Sequence, residues 1–462
     1  MQNTTSSSSQ WDAIVIGTGQ AGPSLAKRLA DAGQRVAIVE RKRFGGTCVN
    51  TGCIPTKTLI ASARAAHIVR RAADFGVTVD QSQVGVNMQH VRQRKDQVAG
   101  ASEKGVEKML RELSSCRVLT GHARFESAHH VRVGNELLEA PQIFINVGAR
   151  AAIPEIPGLS NVPYLTNSQM VDLDTLPSHL VVLGGGYVGL EFAQMYRRFG
   201  SKVTIIERGR RLLSKEDDDV AEVVHNVLKS EQIEILTGTT PTNIEKNGEG
   251  VTVSWNSGEA SGSHLLVALG RRPNTDDLGL DQAGIVVDNR GYIQVDSYLA
   301  TNVAGIWALG DCNGRGAFTH TSYNDYQIVA ANLLEGLSRR VEDRIPAYNI
   351  YTDPPLARIG LSGNEVRKSG RPALIAKRPM TKVARAVEKG ETEGFLKILI
   401  CAETRRILGA ALIGIECDEV IHSLLDIMYS GTTSDVILNA VHIHPTISEL
   451  LPTTLESLEP LK

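Results

Sequence analysis

Short apolar runs that end in glycine-rich turns recur along this chain. Residues 12–16 predict a buried strand, residues 17–22 form a Gly-x-Gly-x-x-Gly turn, and residues 23–32 have the apolar spacing of a helix. A glycine and a second apolar strand at 35–40 complete the unit. The same order of strand, turn, helix, glycine and strand returns at residues 180–207. The pattern therefore predicts two βαβ units.

Each predicted unit closes on an acidic residue. Glu40 follows Gly17 at the same distance along the chain as Glu207 follows Gly184. In such units the glycines let the backbone approach a pyrophosphate at the helix N-terminus, and the acid accepts hydrogen bonds from a ribose 2′-OH. A single turn of this kind can have another explanation, because the glycines can be required only for the close packing of the helix on the strand. Because the whole arrangement occurs twice, we expect the chain to bind two dinucleotides.

The remaining pattern is mixed. Residues 57–115 have helical spacing, and residues 117–148 alternate in the manner of antiparallel strands. Two later apolar runs end at Gly270 and at Gly310, and a helix is predicted at 322–337. Such ends of strands are where α/β proteins place ligand-contacting groups.

The last part of the chain, from residue 343, predicts a separate α+β unit. Strands and helices alternate there, with strands predicted at 394–399 and 407–413 and helices at 417–429 and 448–457.

The composition is that of a globular protein. Of 462 residues 42% are hydrophobic and 22% charged, and 49 basic against 51 acidic side chains leave a net charge of −2. This balance argues against nucleic acid or an anionic membrane as a partner. No apolar run approaches the ~18 residues of a membrane-spanning helix. Residues 1–10 are rich in Asn, Thr and Ser and lack the features of a secretory signal, which predicts a disordered tail and a cytoplasmic protein.

Two of the six cysteines are close together, in the run Gly-Gly-Thr-Cys-x4-Cys-Ile-Pro-Thr-Lys at 45–57. Pro55 suits the first turn of a helix that begins near Cys53, and the positive end of that helix would stabilise a thiolate. Cys48 can pair with Cys53 only if the backbone brings their Cα atoms within about 7 Å. Packing of two small apolar side chains and a metal pair are the alternatives. The dinucleotide turns favour a redox-active pair.

A second group of candidate residues lies near the end of the chain, in His-Ile-His-Pro-Thr-Ile-Ser-Glu at 442–449. Thiol exchange needs a group that takes up and releases a proton near pH 7, and an imidazole oriented by a carboxylate does this. Either histidine can instead be a packing residue, which is the interpretation that we prefer for His442.

Together these motifs resemble those of the class I pyridine nucleotide-disulfide oxidoreductases, a family that includes lipoamide dehydrogenase, glutathione reductase and the catalytic core of mercuric reductase. The resemblance spans nearly the whole chain after the Ser-rich tail. It implies an α/β fold with two Rossmann-like dinucleotide-binding domains, for FAD and NAD(P), plus a C-terminal α+β dimerisation domain. The implied FAD-binding domain takes residues 11–150 and 274–342, the NAD(P)-binding domain 151–273, and the dimerisation domain 343–462.

The resemblance also implies the cofactor contacts. The residues matching the FAD site are Gly17, Gly19, Gly22, Glu40, Gly46, Thr47, Lys57, Ala123, Gly148 and Asp311. Those matching the nicotinamide dinucleotide site are Gly184, Gly186, Tyr187, Gly189, Glu207 and Gly270. Tyr187 resembles the aromatic gate of glutathione reductase, although an aromatic residue there can also belong to the core.

By the same resemblance, Cys53 faces the flavin as the charge-transfer thiolate and Cys48 exchanges with substrate. Lys57 and Glu191 match an ion pair beside the reactive edge of the flavin; alone, either would be interpreted as a solvated surface charge. His444 matches the acid/base and Glu449 the residue that orients it. In the family this pair serves the thiols of the other subunit, which implies a homodimer.

Substrate and nicotinamide specificity are less constrained. Glu207 favours NADH, because a carboxylate repels the 2′-phosphate of NADPH, but three arginines at 208, 210 and 211 keep NADPH open. The leading hypothesis is exchange with a small dithiol or disulfide, as in lipoamide dehydrogenase. Residues 317–325 depart from that enzyme's run and look more like mercuric-reductase-like and RclA-like flavoproteins, so a metal (Hg or Cu) or quinone reductase is the alternative.

A redox-sensing or complex-forming flavoprotein with little turnover is a third possibility. Redox potentials, the physiological acceptor and any role for the other cysteines are not assigned from the sequence. These cysteines are Cys116, Cys312, Cys401 and Cys417.

Overall fold

The computed structural model describes residues 9–462. The predicted disordered tail at 1–10 is corrected at its last two residues, because Ser9–Gln10 form a short strand that pairs in parallel with Leu138 and Glu139. Residues 1–8 lie outside the described residues.

The helices alternate with strands through most of the chain. They are α1 Gly22–Asp31, α2 Gly46–Asn50, α3 Cys53–Arg70, α4 Met88–Arg111, α5 Asn167–Met170, α6 Tyr187–Phe199, α7 Asp218–Ser230, α8 Thr319–Leu334, α9 Gly363–Ser369, α10 Ala384–Glu388, α11 Cys417–Ser430, α12 Asp435–Asn439 and α13 Leu450–Leu455.

The strands are short, and 15 of the 24 described strands belong to the two parallel sheets and the C-terminal sheet described below. They are β1 Ser9–Gln10, β2 Ala13–Ile16, β3 Val36–Glu40, β4 Cys116–Thr120, β5 Ala123–Ser127, β6 His130–Val133, β7 Glu136–Glu139, β8 Gln142–Ile145, β9 Ala149–Ala151, β10 His179–Leu183, β11 Lys202–Glu207, β12 Glu234–Thr237, β13 Asn243–Asn247, β14 Gly250–Trp255, β15 Gly258–Gly262, β16 His264–Val267, β17 Arg271–Pro273, β18 Ile306–Ala308, β19 Ala347–Ile350, β20 Leu356–Gly360, β21 Ala373–Pro379, β22 Phe395–Cys401, β23 Ile407–Ile413 and β24 Glu459–Pro460.

The first parallel sheet has the order β18-β8-β2-β3-β4 and contains the first predicted βαβ unit. Both faces of β2 are buried: Ile14 and Ile16 join one apolar cluster, while Ala13 and Val15 join another. Continuous apolar strands are expected where helices or other layers cover both faces of a parallel sheet.

The second parallel sheet has the order β12-β11-β10-β16 and contains the second predicted unit. Its central strand β10 is again buried on both faces, with Leu180 and Val182 on one side and Val181 and Leu183 on the other.

The C-terminal sheet is an antiparallel sheet of six strands in the order β19-β20-β23-β22-β21-β24. It covers the predicted C-terminal α+β unit, and β23 has the predicted bounds. The predicted antiparallel run at 117–148 is correct for β5, β6 and β7 but wrong for β4 and β8, which are parallel members of the first sheet. Alternation along a strand does not reveal the direction of its neighbour.

One apolar cluster joins helix α3 to the second parallel sheet and to the C-terminal sheet, behind the site described below. It includes Leu59 and Ala63 of α3, Phe192 and Met195 of α6, and Ile413 of β23. Helix α3 is therefore packed against both α6 and the C-terminal sheet. Within residues 9–462, no helix has both the length and the apolar character that crossing a bilayer requires.

Candidate active site

A cleft of about 1480 Å³ runs between the two parallel sheets and reaches the two cysteines. Of the predicted cofactor and redox residues, those that line it are Gly17, Gly19, Glu40, Gly46, Thr47, Cys48, Cys53, Lys57, Ala123, Gly148, Gly184, Gly186, Tyr187, Glu191, Glu207, Gly270 and Asp311. The third glycines of the two turns, Gly22 and Gly189, do not line it.

The first turn places backbone groups at the N-terminus of α1. Gly17 has a φ of 102°, and a side chain there would lie 2.4 Å from the carbonyl oxygen of Asn146. A side chain on Gly22 would lie 2.2 Å from the carbonyl oxygen of Gly17. The Glu40 carboxylate accepts hydrogen bonds from Thr18 N at 3.0 Å and Lys42 N at 2.9 Å. Glycine is thus required here both for the turn and for the packing of helix on strand.

The second turn repeats this geometry at α6. Gly184 has a φ of 110°, and a side chain on Gly189 would lie 2.2 Å from the carbonyl oxygen of Gly184. The Glu207 carboxylate accepts from Gly185 N at 2.6 Å and from Gly209 N at 2.5 Å.

A buried polar group beside the first glycine turn fits the binding of a dinucleotide there. The Asn146 amide nitrogen Nδ2 is buried and finds no hydrogen-bond partner among the described residues, and it lies 3.1 Å from where a side chain on Gly19 would begin. A buried donor without a partner is costly unless a ligand or water accepts its hydrogen bond.

The two sulfurs lie where α2 meets α3. Cys48 is within the short helix α2, and Cys53 is the first residue of α3, as predicted. Gly45 is left-handed with a φ of 89°, which lets the chain turn sharply into α2. Both cysteines are half-buried free thiols in this structure, and their side chains are hydrogen-bonded to each other.

The pKa values of the two thiols move apart. The hydrogen bond with Cys48 lowers the pKa of Cys53 to about 6, with further lowering by Thr319 and the Lys57 cation against the opposing effect of burial. The same hydrogen bond, together with burial, raises the pKa of Cys48 well above its usual range. Cys53 is therefore the thiolate of the pair at neutral pH, and Cys48 is the thiol that donates to it.

Thr319 is a functional candidate that the sequence interpretation did not single out. Its hydroxyl oxygen Oγ1 lies 3.0 Å from Sγ of Cys53, at the first residue of α8. It belongs to the segment 317–325 that departs from the lipoamide dehydrogenase pattern. This departure from the pattern was visible in the sequence, but the role of Thr319 becomes clear only from its contact with Cys53.

Lys57 and Glu191 form the predicted ion pair, with Nζ to Oε2 at 2.7 Å. The Lys57 side chain is one-third exposed, whereas that of Glu191 is 6% exposed. Lys57 Nζ also lies 4.5 Å from the centre of the Tyr351 ring, and Tyr351 N donates to Glu191 Oε1 at 2.9 Å. No sequence motif indicated Tyr351.

Aromatic rings connect the side of the cleft at the second glycine turn to the side at the two cysteines. Tyr187 lies 5.8 Å from Phe318, measured between ring centres, and Phe318 stacks on Tyr348 at 5.5 Å. Phe318 directly precedes Thr319, so the ring at the predicted gate touches the segment that contacts Cys53.

Asp311 is held by Arg271 across the cleft, with Nη1 to Oδ2 at 2.5 Å. Burial raises the pKa of Asp311, although the arginine opposes that effect. Arg271 follows Gly270 at the end of the predicted strand and is a charged residue that the sequence interpretation did not single out.

The structure does not bring the predicted acid/base into this cleft within one chain. His444 Nδ1 lies 2.9 Å from Glu449 Oε2, as expected for an imidazole oriented by a carboxylate. The His444 side chain is 74% exposed, and neither residue lines the cleft. Residues 9–462 contain no group of three or more His, Cys, Asp or Glu side chains arranged to hold a metal ion.

Comparisons with known proteins agree with these features. The family model described as pyridine nucleotide-disulphide oxidoreductase matches residues 11–325, and that of the same family's dimerisation domain matches residues 346–455. The chain is 36% identical to a probable pyridine nucleotide-disulfide oxidoreductase RclA of Escherichia coli over 451 residues, which are 96% of this chain and 98% of that protein. It is 31% identical to a dihydrolipoyl dehydrogenase of Chlamydia muridarum over 445 residues, 95% of each chain.

A solved structure has the same fold. The Cu(II) complex of the HOCl-induced flavoprotein disulfide reductase RclA from Escherichia coli superposes with a TM-score of 0.89 at 34% identity, covering 96% of this chain and 99% of that chain. The predicted family, fold class and enzymatic nature are confirmed. This chain belongs to the class I pyridine nucleotide-disulfide oxidoreductases, FAD-dependent enzymes that use a pyridine nucleotide.

Proposed function

We propose that this enzyme oxidises NADH and passes the electron pair, by way of FAD and the Cys48–Cys53 pair, to a small disulfide substrate. In balanced form, NADH, a proton and a disulfide give NAD⁺ and two thiols; a dithiol substrate such as dihydrolipoamide would run the reaction in reverse. The observation that carries the proposal is that two thiols with separated pKa values lie in the same cleft as both dinucleotide turns.

FAD would be held by the first turn and by the residues around it. These are Gly17, Gly19, Gly22, Glu40, Gly46, Thr47, Lys57, Ala123, Gly148 and Asp311. When bound, FAD supplies two-electron transfer between the nicotinamide and the sulfurs. The Lys57 cation, paired with Glu191, favours negative charge arriving beside it.

The sulfurs have different tasks in this proposal. Cys48, once deprotonated, attacks the substrate disulfide and forms a mixed disulfide, which releases the first substrate thiolate. Cys53, already a thiolate at neutral pH, then attacks Cys48 Sγ, releases the second thiolate and closes the Cys48–Cys53 disulfide. Two electrons from NADH reopen this bond and restore the two thiols.

The protons in these steps would come from His444 of a second subunit. The histidine and its Glu449 partner are exposed in the single chain, and they lie in the region that matches a dimerisation domain. Val441 and Ile443 beside them are 100% and 80% exposed, an apolar surface that a partner would cover. We therefore propose a homodimer in which each His444 serves the sulfurs of the other subunit.

NADH is proposed over NADPH because of Glu207. Its carboxylate is fixed by two backbone donors at the end of β11, where a ribose 2′-OH would lie. Arg211 is turned away from this point, since its guanidinium contacts Asp218 and donates to the carbonyl of Glu216.

A second candidate substrate is a soft metal ion, reduced at the two thiols. It is favoured by the similar solved structure, which is a Cu(II) complex. Two adjacent cysteine sulfurs are suitable soft ligands for copper.

An acceptor assay tests the proposal and separates the candidates. NADH oxidation is followed with lipoamide, with an aromatic disulfide, or with Cu(II) as acceptor, for the wild type, Cys48→Ser and Cys401→Ser. The disulfide proposal expects turnover with a disulfide that Cys48→Ser abolishes. Cys401→Ser should leave this turnover unchanged, because Cys401 is a half-exposed cysteine at the end of β22 and does not line the cleft. Cys48-dependent turnover with Cu(II) alone would establish the second candidate in its place.

A further inference from the structure

The segment 351–353 lies between helices α3 and α6 and contacts both. Asp353 N donates to the Gln194 side chain at 2.8 Å, and the Gln194 amide donates back to the Asp353 carbonyl at 2.7 Å. The Asp353 carboxylate forms ion pairs with Arg198 of α6 and with Arg64 of α3. The loop before Pro354 thus links two helices from different parts of the chain.

The contacted residues lie on one face of each helix. On α6 the segment reaches positions 191, 194 and 198, which are spaced as neighbours on a single helical face. On α3 it reaches positions 57 and 64, which are two turns apart. The segment therefore aligns the two helices along their length, with the Lys57–Glu191 pair at the end that faces the cleft.

The contacts on the α6 side are protected from water, whereas the Arg64 side chain on α3 is one-third exposed and also pairs with Glu391. The side chains of Arg198 and Asp353 are 6% and 12% exposed, and Arg198 is also paired with Glu231. Breaking a buried ion pair by neutralising one partner leaves an uncompensated charge, so the remaining groups have to move or take up water.

We propose that Tyr351 and Asp353 are positioning residues that hold the Lys57 ammonium beside the reactive sulfur and the flavin site. Tyr351 does so directly, through its ring under Lys57 Nζ and its N–H on Glu191, and Asp353 does so by fixing α3 against α6. The inference rests on the proposed function, in which Lys57 favours negative charge beside it. The same cation also helps to lower the pKa of the Cys53 thiol.

The test is the thiolate pKa of Cys53, measured from the pH dependence of its alkylation by iodoacetamide in the reduced holoenzyme, with Cys53 resolved by mass spectrometry. The variants are Asp353→Asn, Tyr351→Leu, Lys57→Met, and Asp353→Asn combined with Lys57→Met. The controls are Asp31→Asn, which breaks an exposed pair with Lys27, and Tyr351→Phe, which keeps the ring.

The direction in which the pKa of Cys53 moves distinguishes the displacement of Lys57 from the direct effect of losing the Asp353 charge. Removing the negative charge of Asp353 would by itself lower the pKa of Cys53, whereas displacing Lys57 raises it. We expect Asp353→Asn and Tyr351→Leu to raise the pKa by about one unit, and the controls to leave it unchanged. In the Lys57→Met background, Asp353→Asn should produce no further rise.

Other results overturn the inference in separable ways. If Lys57→Met raises the pKa of Cys53 but Asp353→Asn leaves it unchanged or lowers it, the positioning role is wrong while the role of Lys57 stands. If Lys57→Met itself has no effect, the proposed role of Lys57 fails and the positioning role falls with it. Should Asp353→Asn not fold, Tyr351→Leu decides, and an unchanged pKa in that variant refutes the inference.

Discussion

Thr319 shows how one hydroxyl can adjust the reactivity of a sulfur. With Cys53 as the thiolate, the threonine hydroxyl donates to it across 3.0 Å, and this hydrogen bond contributes to the lowered pKa. Because a hydrogen bond to a charged group favours the charged form, Thr319→Val should raise the pKa of Cys53 by about one unit. In the wild type half of Cys53 is thiolate near pH 6, and in the variant the same fraction would be reached only at a higher pH. Alkylation of Cys53 as a function of pH measures the change.

The matched control for Thr319→Val is Thr58→Val. Thr58 is a buried threonine near the site, whereas Thr319 is half-buried. The Thr58 hydroxyl donates to the Ile54 carbonyl within α3 and not to a sulfur. We expect this control to keep the wild-type pH profile. Identical profiles for Thr319→Val and wild type would remove Thr319 from the site.

The position of Glu207 predicts that the enzyme prefers NADH to NADPH. The wild type should have a kcat/KM for NADH at least about tenfold above that for NADPH, since a fixed carboxylate repels a phosphate. Arg208 and Lys215 line the cleft nearby and are exposed, so Glu207→Ala should free them to attract the phosphate of NADPH. The ratio of kcat/KM for NADH to that for NADPH should then fall. Steady-state kinetics with both nucleotides measures this, and a wild type that prefers NADPH would contradict the assignment.

At the scale of elements, two glycines of the second turn are expected to have different roles, one in the packing of α6 and the other in the binding of the nicotinamide dinucleotide. A side chain on Gly189 would collide with the Gly184 carbonyl, whereas one on Gly186 meets nothing within 4 Å. Gly189→Ala should therefore destabilise the fold by about 1–3 kcal/mol, seen as a lower thermal unfolding midpoint. Gly186→Ala should keep the wild-type midpoint and FAD content but raise KM for NADH, because a side chain there obstructs the approach of a pyrophosphate. Equal midpoints for the two variants would contradict this division.

The sequence could predict those elements whose signals are local. Both βαβ units, the helix that starts at Cys53 and the strand at 407–413 follow from apolar spacing and turn residues within a short window. The parallel direction of β4 and β8 could not be predicted, because it depends on which strands lie beside them in the sheet. Nor could the contacts of Cys53 with Thr319 or of Lys57 with Tyr351, since each joins residues far apart in sequence and neither threonine nor tyrosine carries a motif for such a role.

At the scale of the whole molecule, the C-terminal unit does more than cover the other two. Its sheet shares the apolar cluster that contains α3 and α6, and its residues 351–353 reach the ion pair at the cleft. The same unit presents His444 on the outside, away from the sulfurs of its own chain. One unit would thus support the redox centre of its own subunit and supply the proton donor of another.

This arrangement predicts complementation between two inactive variants. In a heterodimer of one Cys53→Ser subunit and one His444→Ala subunit, a site built from both chains leaves one of the two centres intact. Such heterodimers, isolated with two different affinity tags, should therefore recover about half of the wild-type turnover, whereas each homodimer stays nearly inactive. If His444 instead served its own subunit, every centre in the heterodimer would lack one residue and no activity would return. Rapid-mixing measurements add an independent check, because His444→Ala should slow thiol exchange far more than it slows flavin reduction by NADH.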